Sequence, residues 1–142
     1  TRTGFLTGWG KWNGAFATTV AHDSHNLTVF GGNAADMAVA ANAVIKAGGG
    51  MAAASGGKVT ALLPLPLSGL VSGAALEDVA SGFEAVREAV GQIVEWQPPY
   101  LVFKACFGAT LACNPGPHQT DRGIADVATG KVLESPVLEI LG

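Results

Sequence analysis

A chain of 142 residues can hold one domain with a core of its own and is too short for two ordinary ones. A formal charge of -3 and an isoelectric point near 5.5 leave no basic footprint, which argues against a nucleic-acid partner. Charged residues make up only 13%, against roughly 25% in average globular proteins, while 49% are hydrophobic. So small a domain has much surface for its volume, and the shortage of charge predicts that another domain or subunit covers part of it.

Residues 1–14 interleave Gly4, Gly8, Gly10 and Gly14 with Phe5, Trp9 and Trp12, and they start without a helix cap or strand boundary. They are expected to be the remnant of a connection to a larger unit. Residues 15–21 are β-rich (Phe16, Thr18, Thr19, Val20), and residues 27–30 form a second short strand. Between them stands a polar island, His22-Asp23-Ser24-His25-Asn26. Gly31-Gly32-Asn33 then opens a helix. Asn33 suits the N-cap, Asp36 falls at N3 beside the positive helix end, and Met37, Ala41, Val44 and Ile45 follow at helical spacing. Gly48-Gly49-Gly50 ends that helix by supplying the left-handed residue that helix termini favour. Residues 51–54 and 58–63 read as strands joined by the hairpin-type connection Ser55-Gly56-Gly57.

Residues 59–76 carry no charge over a length that nearly spans a bilayer. Pro64 and Pro66 would each remove a helix hydrogen bond and clash with the preceding turn, so a strand followed by a turn is predicted and not a membrane span. In the second helix Leu76, Val79, Ala80, Phe83, Val86, Val90, Ile93 and Val94 make an apolar stripe, with Glu77, Asp78, Ser81, Glu84 and Glu88 opposite. Ser72 is its expected cap and Gln97-Pro98-Pro99 its stop. Residues 100–113 are apolar except for Lys104, and their length and the preceding Pro99 favour helix. Cys106 and Cys113 would then share a face as buried free thiols; with no CxxC pair, the reduced cytoplasm fits best. Asn114-Pro115-Gly116-Pro117 reads as a loop, Thr120-Asp121-Arg122-Gly123 as a turn, and residues 124–127 and 137–141 as short β-like pieces. The expected architecture is a single α/β (α+β) domain, a mixed β-sheet covered by helices.

Chemistry needs polar groups held in apolar places, and the strongest candidate is the island at 22–26. Five successive hydrogen-bonding side chains after a buried strand are costly unless they are satisfied or face solvent. In one reading the loop lines a site, with His22 or His25 as acid, base or orienting donor. In the other it is a turn whose Asp23, Ser24 and Asn26 bond local backbone. A metal held by His22, Asp23 and His25 is weaker, because a stable site wants three or four ligands and completing it would need His118 or Asp121 from elsewhere in the fold. Gly31-Gly32-Asn33 lacks any phosphate-loop pattern and reads as a tight turn.

The string Ala21-His22-Asp23-Ser24-His25-Asn26, followed by a short strand and Gly31-Gly32-Asn33, resembles the carboxy-terminal domain of bacterial adenine deaminases. The likeness continues through Gly48-Gly49-Gly50, Gly57-Lys58-Val59, Leu63-Pro64-Leu65-Pro66-Leu67-Ser68-Gly69-Leu70 and Thr120-Asp121-Arg122-Gly123, in the family's order. The resemblance implies a place in the amidohydrolase superfamily and the conversion of adenine and water to hypoxanthine and ammonia by a metal-activated water. It also implies a purine-catabolic or salvage role and a metal pair of manganese, iron or zinc in a TIM barrel, within a homo-oligomer. This chain has only three histidines, no HxH motif and no room for a barrel of roughly 250 residues. No cofactor is therefore expected to be bound by this part, and alone it is expected to be inactive. What carries over is a lip over the barrel mouth: His22, Asp23 and His25 in catalysis, Ser24 and Asn26 in substrate binding. The competing readings are an assembly module with a structural 22–26 loop, and a small independent metal hydrolase using His22, Asp23 and His25.

Overall fold

A computed structural model describes residues 3–6, 8–20, 26–95, 106–108, 117–120 and 122–132. Successive side chains of a strand point to opposite faces, and two strands of this chain use that alternation to sort side chains by size. In β1 (Ala15–Thr18) and β3 (Gly50–Ser55), Ala15, Ala17, Ala52 and Ala54 join one apolar cluster, while Phe16, Met51 and Ala53 join the other. The small face receives α1 (Ala34–Lys46) through Ala40 and Val44. The larger-residue face receives α2 (Leu76–Ile93) through Val86 and Val90. Fully burying one of these larger side chains is worth about 1.5 to 3 kcal/mol. With β2 (Thr28–Gly31) and β4 (Lys58–Pro64) at the edges, the strand order is β2-β1-β3-β4 and every pairing is antiparallel. The α/β class expected from the sequence is thus realised with one helix on each face, but the sheet is wholly antiparallel and not the mixed sheet expected, because each of its pairings joins oppositely running strands. In place of a membrane span, residues 59–76 contain most of β4 and then a turn, and among the described residues no helix is long and apolar enough to cross a membrane.

The first helix starts and stops as its sequence predicts. Asn33 is the N-cap and its Oδ1 accepts from the Asp36 N–H at 2.8 Å. At the other end Gly49 N–H donates to Val44 O and Gly48 N–H to Ile45 O, the paired bonds of a Schellman stop, with Gly48 at φ 76. Its inward face differs from expectation. Asp36, Ala40 and Val44 are buried, whereas Ile45 is 64% exposed. The contact with β1 and β3 selects the 36, 40, 44 row, and Ile45 lies one residue, about 100° of helix, away from it.

Buried Asp36 also clamps the helix to the hairpin between β3 and β4. Its carboxylate accepts from Asn33 Nδ2 at 2.8 Å and from Gly57 N–H at 2.7 Å. Gly56 and Gly57 both have positive φ, as a two-residue type I′ turn requires. The Asn33 amide first, then the Gly57 N–H, hold the Asp36 pKa below the ordinary carboxylate range against a smaller opposing effect of burial. A carboxyl whose pKa falls on folding stabilises the fold above its unfolded pKa of about 4 and loses that contribution as pH drops through the folded value. Asp36→Asn should therefore melt below wild type at neutral pH, with the gap closing as the pH falls below about 4. Thermal melts across that range check this, and a gap that is constant with pH would count against the clamp.

The second helix also departs from its predicted face. Only Val86, Val90 and Ile93 are buried, Leu76 is 77% exposed, and Ala80 and Phe83 lie on the exposed side. Val79 packs on the core and a Cβ on Gly82 would meet Leu63, so the packed row is 79, 82, 86, 90 and 93, and Leu76, Ala80 and Phe83 lie to one side of it. Ala75, with no side-chain cap, precedes the helix; Ser72 Oγ instead accepts from Ala74 N–H. The helix ends at Ile93, ahead of the prolines. There Asn13 N–H donates to Ile93 O, Glu95 N–H donates to Lys11 O, and Trp12 bridges Val94. Trp9 and Trp12 stack on Phe30 at 5.9 and 6.3 Å, adding aromatic packing to the same apolar cluster.

Beyond α2, residues 106–108 are helical and Cys106 is buried. Most of the helix predicted over 100–113, Cys113 included, and the β-like piece at 137–141 lie outside the described residues. A second, three-stranded antiparallel sheet follows, made of β5 (Pro117–Thr120), β6 (Gly123–Asp126) and β7 (Lys131–Val132). Pro117 therefore starts a strand where a loop was expected. Thr120 and Gly123 pair at the β5–β6 turn, where Thr120 Oγ1 donates to Gly123 O at 2.7 Å.

Candidate functional site

β1 ends at Thr18, which pairs with Thr28 on one side and Met51 on the other, while Gly50 pairs with Pro64. The segment joining β1 to β2 thus leaves and re-enters at the end of the sheet where β3 starts and β4 stops. His22, Asp23, Ser24 and His25 belong to that segment and lie outside the described residues. Asn26 is described; it is exposed and stands two residues before β2.

The described stem of this segment is fixed by one side chain. Thr19 Oγ1 accepts from Gly50 N–H at 2.8 Å and donates to Gly69 O at 2.7 Å, and Thr19 N–H donates to Gly50 O at 2.9 Å. Thr18 Oγ1 accepts from Val20 N–H and shapes the exit of the strand. One hydroxyl therefore joins the root of the 19–27 connection, the triple glycine and the proline-rich segment, three stretches far apart in sequence.

Backbones approach so closely here that glycine is required. Gly50 has φ 136, and a Cβ there would collide with the Leu63 carbonyl oxygen. Gly49 has φ 126, and a Cβ would come within 2.6 Å of Gly69 Cα. The glycines expected only to stop a helix also let three chain segments meet. Gly31 and Gly32 similarly serve close approach, since a Cβ on Gly31 would meet Met37 Cγ at 2.6 Å and one on Gly32 would strike the Trp12 carbonyl. That is a packing role beyond the tight turn predicted.

The joint formed by Thr19, Gly49, Gly50 and Gly69 contains no titratable side chain, so what it can do chemically is hold a loop in place. Thr19 was not singled out from the sequence, because a threonine in a β-rich run has no local mark that separates a surface strand residue from a tertiary joint. Burial pushes the Cys106 thiol up to about 12, which keeps it protonated at neutral pH and agrees with reading it as an inert packed thiol. His118 sits on β5, in the other sheet, and Asp121 lies outside the described residues.

The family described as "Adenine deaminase C-terminal domain" matches residues 1–131. "Adenine deaminase 2" of Agrobacterium fabrum is 82% identical over 142 residues, all of this chain and 24% of that protein. "Adenine deaminase 2" of Rhizobium meliloti is 79% identical over 138 residues, 97% of this chain and 23% of that protein. "Adenine deaminase" of Serratia proteamaculans is 47% identical over 129 residues, 91% of this chain and 22% of that protein. The chain spans about a quarter of the length of the curated relatives it matches. On these matches, which run through all the motifs gathered at the sheet end, the chain belongs to the adenine deaminase C-terminal domain family.

Proposed function

We propose that this domain works as part of a longer enzyme that hydrolyses adenine to hypoxanthine and ammonia, and that it supplies the rim of the site. The observation that carries this reading is 82% identity over every residue of the chain to a protein named adenine deaminase 2. Residues 1–14 would connect to the catalytic barrel of an amidohydrolase-type protein. His22, Asp23 and His25 would face the purine and handle protons, while Ser24 and Asn26 would hydrogen-bond the base. The Thr19 joint supports that assignment, since a loop that meets substrate needs its root held by a rigid scaffold.

Among the described residues no three His, Cys, Asp or Glu side chains are grouped to hold a metal ion. In this reading the manganese, iron or zinc implied by the resemblance belongs to the barrel. A cytoplasmic homo-oligomer acting in adenine catabolism or salvage completes the proposal; the buried free thiol of Cys106 supports its reducing compartment alone. The test is ammonia release. The full-length protein should deaminate adenine and this chain alone should not. A full-length protein inert toward adenine overturns the reading.

A further inference from the structure

The run from residue 59 to 76 has no charge, and the fold buries only alternate members of its first part. Leu63 and Leu65 enter the core with Val86 and Val90, whereas Leu62, Pro64 and Pro66 are exposed. Residues paired across antiparallel strands share a face. Leu62 pairs with Ala52 and Pro64 with Gly50, so the exposed members lie on the α1 side of the sheet's edge strand. Consistently, a Cβ on Gly48, just past the end of α1, would touch Pro66 at 3.7 Å. The chain then turns back, and Leu67 and Val71 pair across the turn with 56% and 55% exposure. Their side chains stand together in solvent.

Surface turns are normally polar, and this one is also stiff. Leu65 N–H is bound to Gly49 O, Gly69 O is held by Thr19, and Leu70 N–H closes the turn on Leu67 O. Ser68 sits at φ 56, a left-handed conformation that costs a non-glycine residue about 1 kcal/mol or more. An apolar surface that is already ordered loses little conformational entropy when it is covered.

We infer that the strip of Leu62, Pro64, Pro66, Leu67 and Val71 is the surface on which the preceding part of the same polypeptide docks, an inference that rests on reading the chain as one domain of a longer adenine deaminase. The relative named adenine deaminase 2 devotes 24% of its length to the matching region, leaving about three quarters for the partner, and the matched family is a C-terminal one. Interfaces that stay closed are more hydrophobic than transient ones, and a run without charge suits one of that kind. Charges resume only at its borders, with Lys58 and Glu77. A second copy of the chain is the alternative occupant, and the experiment separates the two.

In the full-length protein, Leu67→Cys and Val71→Cys are treated with a maleimide, and labelling of each site is followed by peptide mass spectrometry. Val127→Cys, replacing a 44% exposed side chain in the turn between β6 and β7, is the exposed reference. Docking predicts at least tenfold slower labelling at positions 67 and 71 than at 127, independent of protein concentration. Labelling as fast as at 127 overturns it, and so does protection that disappears on dilution, which would assign the strip to a second copy. Adenine turnover by the unsubstituted protein is scored separately. Turnover with free labelling sinks only the docking surface; protection without turnover keeps the surface and sinks the deaminase reading.

Discussion

His22→Ala or His25→Ala in the full-length protein should lower adenine turnover by at least an order of magnitude while leaving its assembly intact. Removing a group that moves a proton or orients substrate in the transition state costs roughly 10²- to 10⁴-fold when it acts directly. A histidine that only orients a neighbour gives less, and tenfold is the floor at which the loop still meets substrate. Steady-state kinetics with adenine, alongside the oligomeric mass of each variant, checks the expectation. Normal turnover with a changed mass would instead make the 22–26 segment structural and return the domain to the role of an assembly module. The described scaffold bears on this test, because the segment leaves the sheet immediately after a strand end that Thr19 ties to Gly50 and Gly69.

The second large effect is expected at that tie. Gly50→Ala must hold an alanine at φ 136 and also push its Cβ away from the Leu63 carbonyl. Backbone strain of about 1 to 3 kcal/mol and overpacking of about 1 to 3 kcal/mol act together, so a loss of roughly 2 to 6 kcal/mol is expected. Thr19→Val keeps the shape but leaves Gly50 N–H and Gly69 O without their hydroxyl partner, at a cost of about 1 to 3 kcal/mol. Thr19→Ser should recover most of that loss, since the hydroxyl remains. Denaturant unfolding orders the variants, and Gly50→Ala as stable as wild type would show that the β3–β4 contact relaxes freely. Because native domains are stable by only about 5 to 15 kcal/mol, the alanine at position 50 should also lower the yield of folded protein.

Several parts of this domain were legible because their causes are local. Asn33 followed by Asp36 marks a helix start by side-chain to backbone bonding, and Gly48-Gly49 marks its stop by left-handed geometry; both occur where expected. Gly56-Gly57 between two β-rich runs similarly specified the β3–β4 hairpin. The candidate loop was legible as composition alone, five polar residues in apolar surroundings, and the motif order along the chain marked the family.

Other features depend on contacts between segments that no window of sequence contains. The exposed Leu76 and Phe83 fit a helical stripe as well as the buried Val86 and Val90 do, and only the choice of which row of α2 packs on the sheet separates them. Ile45 likewise lost its predicted place in the core when packing on β1 and β3 selected a neighbouring row of the helix. The need for glycine at position 50 has two parts: left-handed geometry is a local demand, but the collision with Leu63 comes from a strand 13 residues away in the chain. Thr19 is the extreme case, since its bonding partners are 31 and 50 residues distant and nothing beside it in the sequence announces them. By itself, then, the sequence determined both ends of the first helix, the β3–β4 turn and the family, all of which are short-range encodings. Tertiary structure alone decided which apolar residues are covered and which hydroxyl holds the candidate loop, because burial and long-range hydrogen bonding exist only once distant segments have met.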